Sequence, residues 1–114
     1  MRKFLIIALA SLLMLPHFFA YSEDGAPARL TFRVHAPHAH SVEVVGDFNA
    51  WQPGANFLQG PDDNGLWRAT IAIQPGMRRI EYVYLLNGRE RVLDPLQLAV
   101  DDDFHGKNNV LLLP

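Results

Sequence analysis

Beyond residue 28, short runs of alternating apolar and polar residues constrain the fold most, because a two-residue period fits a β-strand and not a helix. One run places Leu30, Phe32 and Val34 on one side, with polar residues between them. Two further runs keep this period, with apolar residues at Trp67, Ala69, Ile71 and Ile73, and at Ile80, Tyr82, Tyr84 and Leu86. We therefore expect strands whose apolar phase, including Trp67, Tyr82 and Tyr84, faces a core.

Turn-forming residues divide the chain between these runs. Asn87-Gly88, followed by a predicted strand over 89–93, is the strongest hairpin signal, because both residues tolerate the positive φ of a type I′ turn. Asp62-Asp63-Asn64-Gly65 is also typical of a turn. Further strands are predicted at 42–45 and 109–113, and no segment after residue 22 has a sustained helical period. Short strands at this spacing predict an all-β, antiparallel β-sandwich.

The first 22 residues have the layout of a secretory signal peptide. Arg2 and Lys3 give a positive start, and Phe4–Leu15 is an apolar run. Cleavage after Ser22 fits the small-residue rule, so we expect a periplasmic or secreted protein. The alternative is an uncleaved anchor over 4–20 that holds the protein outside the cytoplasm, although this stretch is shorter than the roughly 20 residues of a normal span.

One domain is expected after this leader, with residues 23–28 as a linker and 29–114 as the folded unit. Removing residues 1–22 lowers Lys and Arg from 10 to 8 against 12 Asp and Glu, so the formal charge moves from −2 to −4. Nucleic-acid binding depends largely on clustered Lys and Arg, whereas the Arg residues here are scattered among the strands. We therefore expect no nucleic-acid partner, and membrane contact only if the leader is retained.

Few residues could support catalysis or bind a metal ion. The chain contains no cysteine, which excludes disulfides and thiol chemistry, and Ser41 is the only serine beyond residue 22. His35, His38 and His40 fall on a solvated bend, and Asp101-Asp102-Asp103 lacks the spacing of a calcium loop and is expected to be solvated. A small sandwich also leaves little room for the cleft that glycoside hydrolysis needs. We expect no catalytic residue, no metal and no cofactor.

Gly46-Asp47-Phe48-Asn49-Ala50-Trp51 places a large aromatic residue among turn formers, directly after a strand-like run. Two interpretations are open. Trp51 folds back as a lid on the core, because Trp is highly buried on average. Alternatively, its indole forms an aromatic platform, which stacks on the apolar C–H face of a sugar ring while its N–H bonds a hydroxyl.

This hexapeptide is the first of six motifs that follow one another at defined spacing. The others are Asn64-Gly65-Leu66-Trp67, Gln74-Pro75-Gly76, Glu81-Tyr82-Val83-Tyr84-Leu85-Leu86-Asn87-Gly88, Asp94-Pro95 and Asn108-Asn109-Val110. In this order they resemble carbohydrate-binding module family 48, which includes the glycogen-binding domain of the AMP-activated protein kinase beta subunit and the N-terminal domains of isoamylase and branching enzymes. The resemblance runs from about Leu30 to Leu113 and implies an immunoglobulin-like sandwich of the early-set type.

The resemblance also implies three carbohydrate-binding residues. Trp51 matches the Trp that stacks on glucose, Asn108 matches the Asn that bonds sugar hydroxyls, and Phe104 is the nearest counterpart of a Leu that threads into the oligosaccharide ring. Two positions depart from the family. Val83 stands in place of a Lys, and residues 89–92 stand where a second stacking Trp is expected. Two interpretations of Arg89 and Arg91 are open: one of them bonds sugar hydroxyls, or both lie on a solvated edge strand.

These expectations favour a non-catalytic module that recognises glycogen-like or starch-like α-glucan by aromatic stacking and hydroxyl hydrogen bonds. Loss of one of two stacking rings weakens such binding, because an aromatic contact gives about 0.5–1.5 kcal/mol beyond area burial. The alternative is an extracytoplasmic protein-interaction module on the same fold, in which sugar binding has been lost and an envelope protein is the partner, because fold does not fix function.

Overall fold

The computed structural model describes residues 28–114, which form seven strands and no α-helix. The strands are β1 (Ala28–His35), β2 (Val42–Gly46), β3 (Leu66–Ile73), β4 (Arg79–Leu86), β5 (Glu90–Val92), β6 (Ala99–Asp101) and β7 (Lys107–Leu112). A single turn of 3-10 helix, Asp47–Asn49, follows β2. The predicted leader (1–22) lies outside the described residues, as does the predicted linker (23–28) apart from Ala28, the first residue of β1. Within residues 28–114, no helix has the length and apolar character needed to cross a membrane.

The strands pair antiparallel and form two sheets. β1 pairs with β3 along its whole length, from Ala28 opposite Ile73 to His35 opposite Leu66. The second sheet has the order β2-β4-β7-β6, and the short β5 also pairs with β4. β4 is central to this sheet, because β2 lies along one edge while β7 and β5 share the other. The C-terminal strand β7 is thereby brought next to β4.

The two sheets enclose one apolar core. Its fully or nearly fully buried side chains come from both sheets and include Phe32, Val34, Val42, Val44, Trp67, Ile73, Ile80, Tyr82 and Tyr84. The Phe32 ring contacts the rings of Phe48 and Tyr82, at centroid distances of 5.3 and 5.0 Å. The all-β, two-layer prediction and the core positions of Trp67, Tyr82 and Tyr84 are confirmed, whereas the early-set immunoglobulin-like topology stays a prediction.

The polar ends of two core aromatics are satisfied by backbone carbonyls. The Trp67 Nε1–H donates to the Ala36 oxygen at 2.8 Å, and the Tyr84 hydroxyl donates to the Arg33 oxygen at 3.0 Å. Burial raises the pKa of Tyr82 to about 12 and raises the pKa of Tyr84 as well. These side chains are therefore structural.

The predicted hairpin after β4 is present, with a shift in register. Asn87 and Gly88 both have positive φ, 53° and 72°, and the Arg89 N–H closes the turn on the Leu86 oxygen at 2.9 Å. Pairing resumes with Leu86 opposite Glu90, so β5 covers 90–92 rather than 89–93. β7 covers 107–112 rather than 109–113, and β6 was not predicted, because three residues are too few to show a period.

Candidate functional site

The turn that follows β2 lies tightly against β4. Gly46 permits this approach, because a Cβ there would lie 2.5 Å from the Glu81 carbonyl oxygen and 2.7 Å from the Tyr82 Cβ. The Asn49 side chain closes the bend: its Oδ1 accepts the Gly46 N–H at 3.0 Å and its Nδ2–H donates to the Val44 oxygen at 3.0 Å. The residues that end β2 in the sequence therefore build an ordered bend.

Trp51 is presented by a strained backbone at the end of this bend. Ala50 and Trp51 both have φ of 57°, in the left-handed region, where a non-glycine residue costs of order 1–3 kcal/mol. The Trp51 N–H donates to the Gly46 oxygen at 3.0 Å. Strain of this kind persists only where the surrounding contacts impose it, and it is found most often at functional sites.

The Trp51 indole is held by Asp47. Its Nε1–H donates to Asp47 Oδ1 at 3.1 Å, and the second carboxylate oxygen accepts the Glu81 N–H at 2.8 Å. The ring is half-buried and lines a cleft, so the interpretation of Trp51 as a lid on the core does not describe it. Asp47 accepts the indole hydrogen in this structure, so a bond from that N–H to a sugar hydroxyl would have to replace it, and this role stays a prediction. The ring face is what remains for a ligand.

Phe104 projects from a tight loop between β6 and β7. Asp102 Oδ1 accepts the N–H groups of Phe104 and Gly106 at 2.7 and 2.8 Å, and these bonds hold the pKa of Asp102 below its ordinary value. Phe104 itself is 84% exposed. The expectation of a solvated loop at 101–103 is therefore only partly right: Asp101 ends β6, and Asp102 organises the loop that carries the aromatic ring.

A polar network connects β7 with β4 and β5. The Asn108 Nδ2–H donates to Glu81 Oε1 at 3.0 Å, and Asn108 Oδ1 accepts from an Arg91 Nη2–H at 2.8 Å. Glu81 also accepts from Arg79 at 2.6 Å, and the bonds from Asn108 and Arg79 lower the pKa of Glu81. Arg91 lies 3.8 Å from an oxygen of Asp102. The orientation of the Asn108 amide is thus fixed from both sides.

These elements line one open cleft of about 410 Å³. The cleft contains two aromatic rings, an amide, one guanidinium and five carboxylates, from Trp51, Phe104, Asn108, Arg91, Asp47, Glu81, Asp101, Asp102 and Asp103. The three residues assigned by the family resemblance are therefore neighbours, although their roles in binding stay predictions. Arg79 and Lys107 pair with Glu81 and Asp101, but the five carboxylates still outnumber the three cations, so the cleft carries a net negative charge.

The two departures from the family pattern lie at different depths. Arg91, from the segment that replaces the second Trp, lines the cleft and is not simply a solvated edge residue. Val83 is 1% exposed and lies on the same strand face as Glu81, two residues away.

Asp47 and Glu81 were not identified from the sequence. Asp47 could have been suspected from its place in the Trp51 motif, whereas Glu81 is recognised only through the pairing of β4 with β7.

The histidines singled out from the sequence lie in an exposed part of the chain. His35 ends β1, and His38 and His40 follow in the connection to β2, where all three are exposed. Across residues 28–114, no group of three His, Asp or Glu side chains is arranged to hold a metal ion.

Comparison with known proteins adds relatives that contain a similar segment. The 1,4-alpha-glucan branching enzyme GlgB of Lactiplantibacillus plantarum is 52% identical over 47 residues, covering 41% of this chain and 7% of the enzyme. The enzyme of Picrophilus torridus is 32% identical over 115 residues, covering 81% of this chain and 16% of the enzyme. That of Bacillus subtilis is 34% identical over 70 residues, covering 61% and 11%. The chain thus spans about a sixth or less of the length of these relatives.

A family model also matches more than half of the chain. The model for carbohydrate-binding module 48, described as the isoamylase N-terminal domain, matches residues 19–97. Trp51 lies within the matched range, whereas Phe104 and Asn108 lie beyond it. The family resemblance noted in the motifs is confirmed: the chain belongs to the carbohydrate-binding module 48 family.

Proposed function

We propose that this protein is a non-catalytic module that binds α-glucan of the glycogen or starch type in the cleft lined by Trp51, Phe104 and Asn108. One observation carries the proposal: a single open cleft combines two aromatic rings with an ordered hydrogen-bonding network. A sugar ring has apolar C–H faces and a rim of hydroxyls, so its recognition needs both kinds of surface.

The aromatic rings supply the apolar contact. Trp51 stacks on one glucose face, with its indole plane fixed by the bond to Asp47. Phe104 provides a second ring at the cleft. It is 84% exposed in the free protein, and bound glucan covers part of its surface. Each such contact adds about 0.5–1.5 kcal/mol beyond the area it buries, so Phe104 offsets part of the loss of the second family Trp. This arrangement favours weak binding that depends on every contact.

The polar network supplies the hydrogen bonds to sugar hydroxyls. Asn108 uses one amide hydrogen on Glu81 and one lone pair on Arg91, which leaves a second hydrogen and a second lone pair. Arg91 likewise has further N–H donors beyond those that it gives to Asn108 and to the Lys107 oxygen. Asn108 is only 7% exposed, so the exposed Arg91 is the more accessible partner for a sugar hydroxyl. Binding to these groups keeps the network intact, and little side-chain entropy is lost.

The relatives support α-glucan as the ligand class. The matched proteins are 1,4-alpha-glucan branching enzymes, so their names refer to α-linked glucan. Each match covers a small part of the enzyme, at most 16% of the first three. We therefore carry over glucan recognition, and not the branching reaction, to this chain.

The acids of the cleft support a non-catalytic role. Glycoside hydrolysis uses a carboxyl group with a raised pKa as proton donor. Here hydrogen bonds lower the pKa of both Glu81 and Asp102, so both are ionised near neutral pH. The two oxygens of Asp47 accept from Trp51 and from the backbone of Glu81. These carboxylates act as structural acceptors.

The leader pattern of residues 1–22 supports a periplasmic or secreted location, with a retained anchor facing outside the cytoplasm as the alternative.

A second candidate function is protein interaction on the same fold, with an envelope protein as the partner. It is favoured by two leucines before β6, Leu96 and Leu98, which are 89% and 64% exposed. A protein partner would remove the apolar surface of these two leucines from water.

Native gel electrophoresis of the protein tests the proposal directly. Gels cast with glycogen or amylopectin are expected to retard the protein, and gels cast with a soluble β-linked glucan are expected not to. A non-binding protein of similar size in the same gels controls for sieving. Equal migration in all gels at high protein concentration would refute the glucan proposal and favour the protein-interaction candidate.

A further inference from the structure

We propose that Asp47 is a positioning residue, which fixes the plane of the Trp51 indole relative to β4 and thereby sets the affinity for glucan. The inference rests on the proposed function and assigns a role to Asp47, which lies in the first family motif but is not one of the three binding residues that the resemblance implies. Asp47 acts through Trp51, because one of its oxygens accepts the indole hydrogen while the other accepts the Glu81 backbone hydrogen, which ties the ring to β4.

The geometry of the carboxylate explains how it positions the ring. Asp47 Oδ1 accepts the Trp51 Nε1–H at 3.1 Å, while Oδ2 accepts the Glu81 N–H at 2.8 Å. Because the two oxygens bind different elements, the carboxylate cannot rotate without losing a hydrogen bond. The edge of the indole is thus tied to the backbone of β4, the same strand whose Glu81 side chain orients Asn108.

The backbone around Trp51 needs this support. Ala50 and Trp51 are consecutive non-glycine residues with φ of 57°, and the bond from Asp47 to Trp51 spans both of them. A strained bend relaxes unless outside contacts hold it. Asp47 supplies one such contact from the start of the bend, and the Trp51 N–H to Gly46 bond supplies another.

Fixing the plane of the Trp51 indole affects how glucan is recognised. Since the indole N–H is used within the protein, Trp51 contributes its face alone, and the hydroxyls are left to Asn108 and Arg91. An indole released from Asp47 would have to be ordered by the ligand, and affinity would fall by the entropy of that ordering. Asp47 therefore preorganises the platform.

The two tryptophans of the chain provide the readout. Hydrogen exchange of each indole N–H is measured by NMR in Asp47→Ala, in Asp47→Asn and in the control Asp63→Ala, which changes an exposed turn residue. The Trp67 N–H, bonded to the Ala36 oxygen in the core, is the internal reference. Glycogen affinity is measured on the same samples.

In Asp47→Ala, exchange of the Trp51 N–H and the Kd for glycogen are each expected to rise about ten-fold, the effect of one charge-assisted hydrogen bond. Exchange at Trp67 should not change. Asp47→Asn should give intermediate values, since an NH2 group replaces one of the two accepting oxygens and only one of the two hydrogen bonds is kept. If the alanine variant does not fold, Asp47→Asn serves as the test variant. Asp63→Ala should match the wild type.

Two results would overturn the role of Asp47. One is unchanged exchange at Trp51 in Asp47→Ala. The other is faster exchange with unchanged glycogen affinity, which would show that the order of the ring does not matter for binding. A wild type that binds no glucan would overturn the proposed function, whereas exchange at Trp51 would still decide whether Asp47 holds the ring.

Discussion

Alanine substitution of each tryptophan is expected to separate fold stability from binding. Trp67 is 5% exposed, and its indole N–H is bonded inside the core. A Trp side chain buries about 150–250 Å², which at about 25 cal/mol per Å² amounts to roughly 4–6 kcal/mol. Emptying such a site typically costs about 3–5 kcal/mol. The substitution also removes the bond from the indole to the Ala36 oxygen, which then keeps only the Ala39 N–H at 3.2 Å.

Trp51→Ala should cost far less. The ring is half-buried, and its hydrogen bond to Asp47 is exposed to solvent, so a loss of about 1 kcal/mol is expected. Alanine also keeps the residue non-glycine at φ 57°, so the backbone strain is not relieved. Because domains unfold with about 5–15 kcal/mol, Trp67→Ala removes a large share of the stability while Trp51→Ala leaves the fold intact.

Thermal melts followed by circular dichroism measure both changes. One kcal/mol corresponds to about 4–8 °C in a domain of this size, so the Tm should fall by at least about 12 °C for Trp67→Ala and by less than about 8 °C for Trp51→Ala. Glycogen gels on the same samples should show binding lost in Trp51→Ala. Equal losses of Tm would place Trp51 in the core and refute the argument for a platform.

Other changes test separate parts of the structure. Gly46→Ala should lower the free energy of unfolding by about 1–3 kcal/mol in urea titrations, since the added Cβ would lie 2.5 Å from the Glu81 oxygen; an unchanged midpoint would argue against the close approach of β2 to β4. Ala50→Gly should stabilise the protein by about 0.5–1 kcal/mol in the same assay, because glycine adopts φ 57° without strain, and a loss would contradict the strained bend. Phe104→Ala should leave the Tm unchanged, since the residue is 84% exposed, but should weaken retardation on glycogen gels. The pKa of Glu81 lies below its ordinary 4.5 in the folded state, and that of Asp102 lies below its ordinary 3.8. The stability that these carboxylates give to the folded network is therefore fully present above those ordinary values, and it is lost as the pH falls through the lower folded-state pKa. Glycogen affinity should therefore be flat from about pH 8 to pH 5 and fall only below about pH 4; a decline near pH 6 would implicate another group.

The fold was largely predictable from local pattern. The runs at 30–34, 67–73 and 80–86 alternate because each strand buries one face, and a period of two is visible without any knowledge of pairing. The middle of β4 is buried on both faces, since Tyr82, Val83 and Tyr84 are all buried. The alternating positions of Tyr82 and Tyr84 were nevertheless enough to predict which face packs on the core. β6 was missed because a three-residue edge strand is defined by its pairing with β7.

The site was only partly predictable, because its residues meet through strand register. Tyr82 opposite Asn109 brings the adjoining Glu81 and Asn108 within hydrogen-bonding distance, and no local signal reports that pairing. Trp51 was recognisable from its motif, but the direction of its N–H depends on Asp47. Register also groups charges: Arg33 lies directly opposite Arg68 on β1 and β3, although these arginines are far apart in the sequence.

The most direct test of the account is glycogen binding by the wild type, Trp51→Ala, Asn108→Ala and the control His38→Ala, compared at equal protein concentration on affinity gels. His38 is exposed and does not line the cleft. Equal retardation is expected of the wild type and His38→Ala, and no measurable retardation is expected of either cleft variant while both remain folded by thermal melt. Binding retained by folded Trp51→Ala or Asn108→Ala would contradict the account, because it would place glucan recognition outside the cleft.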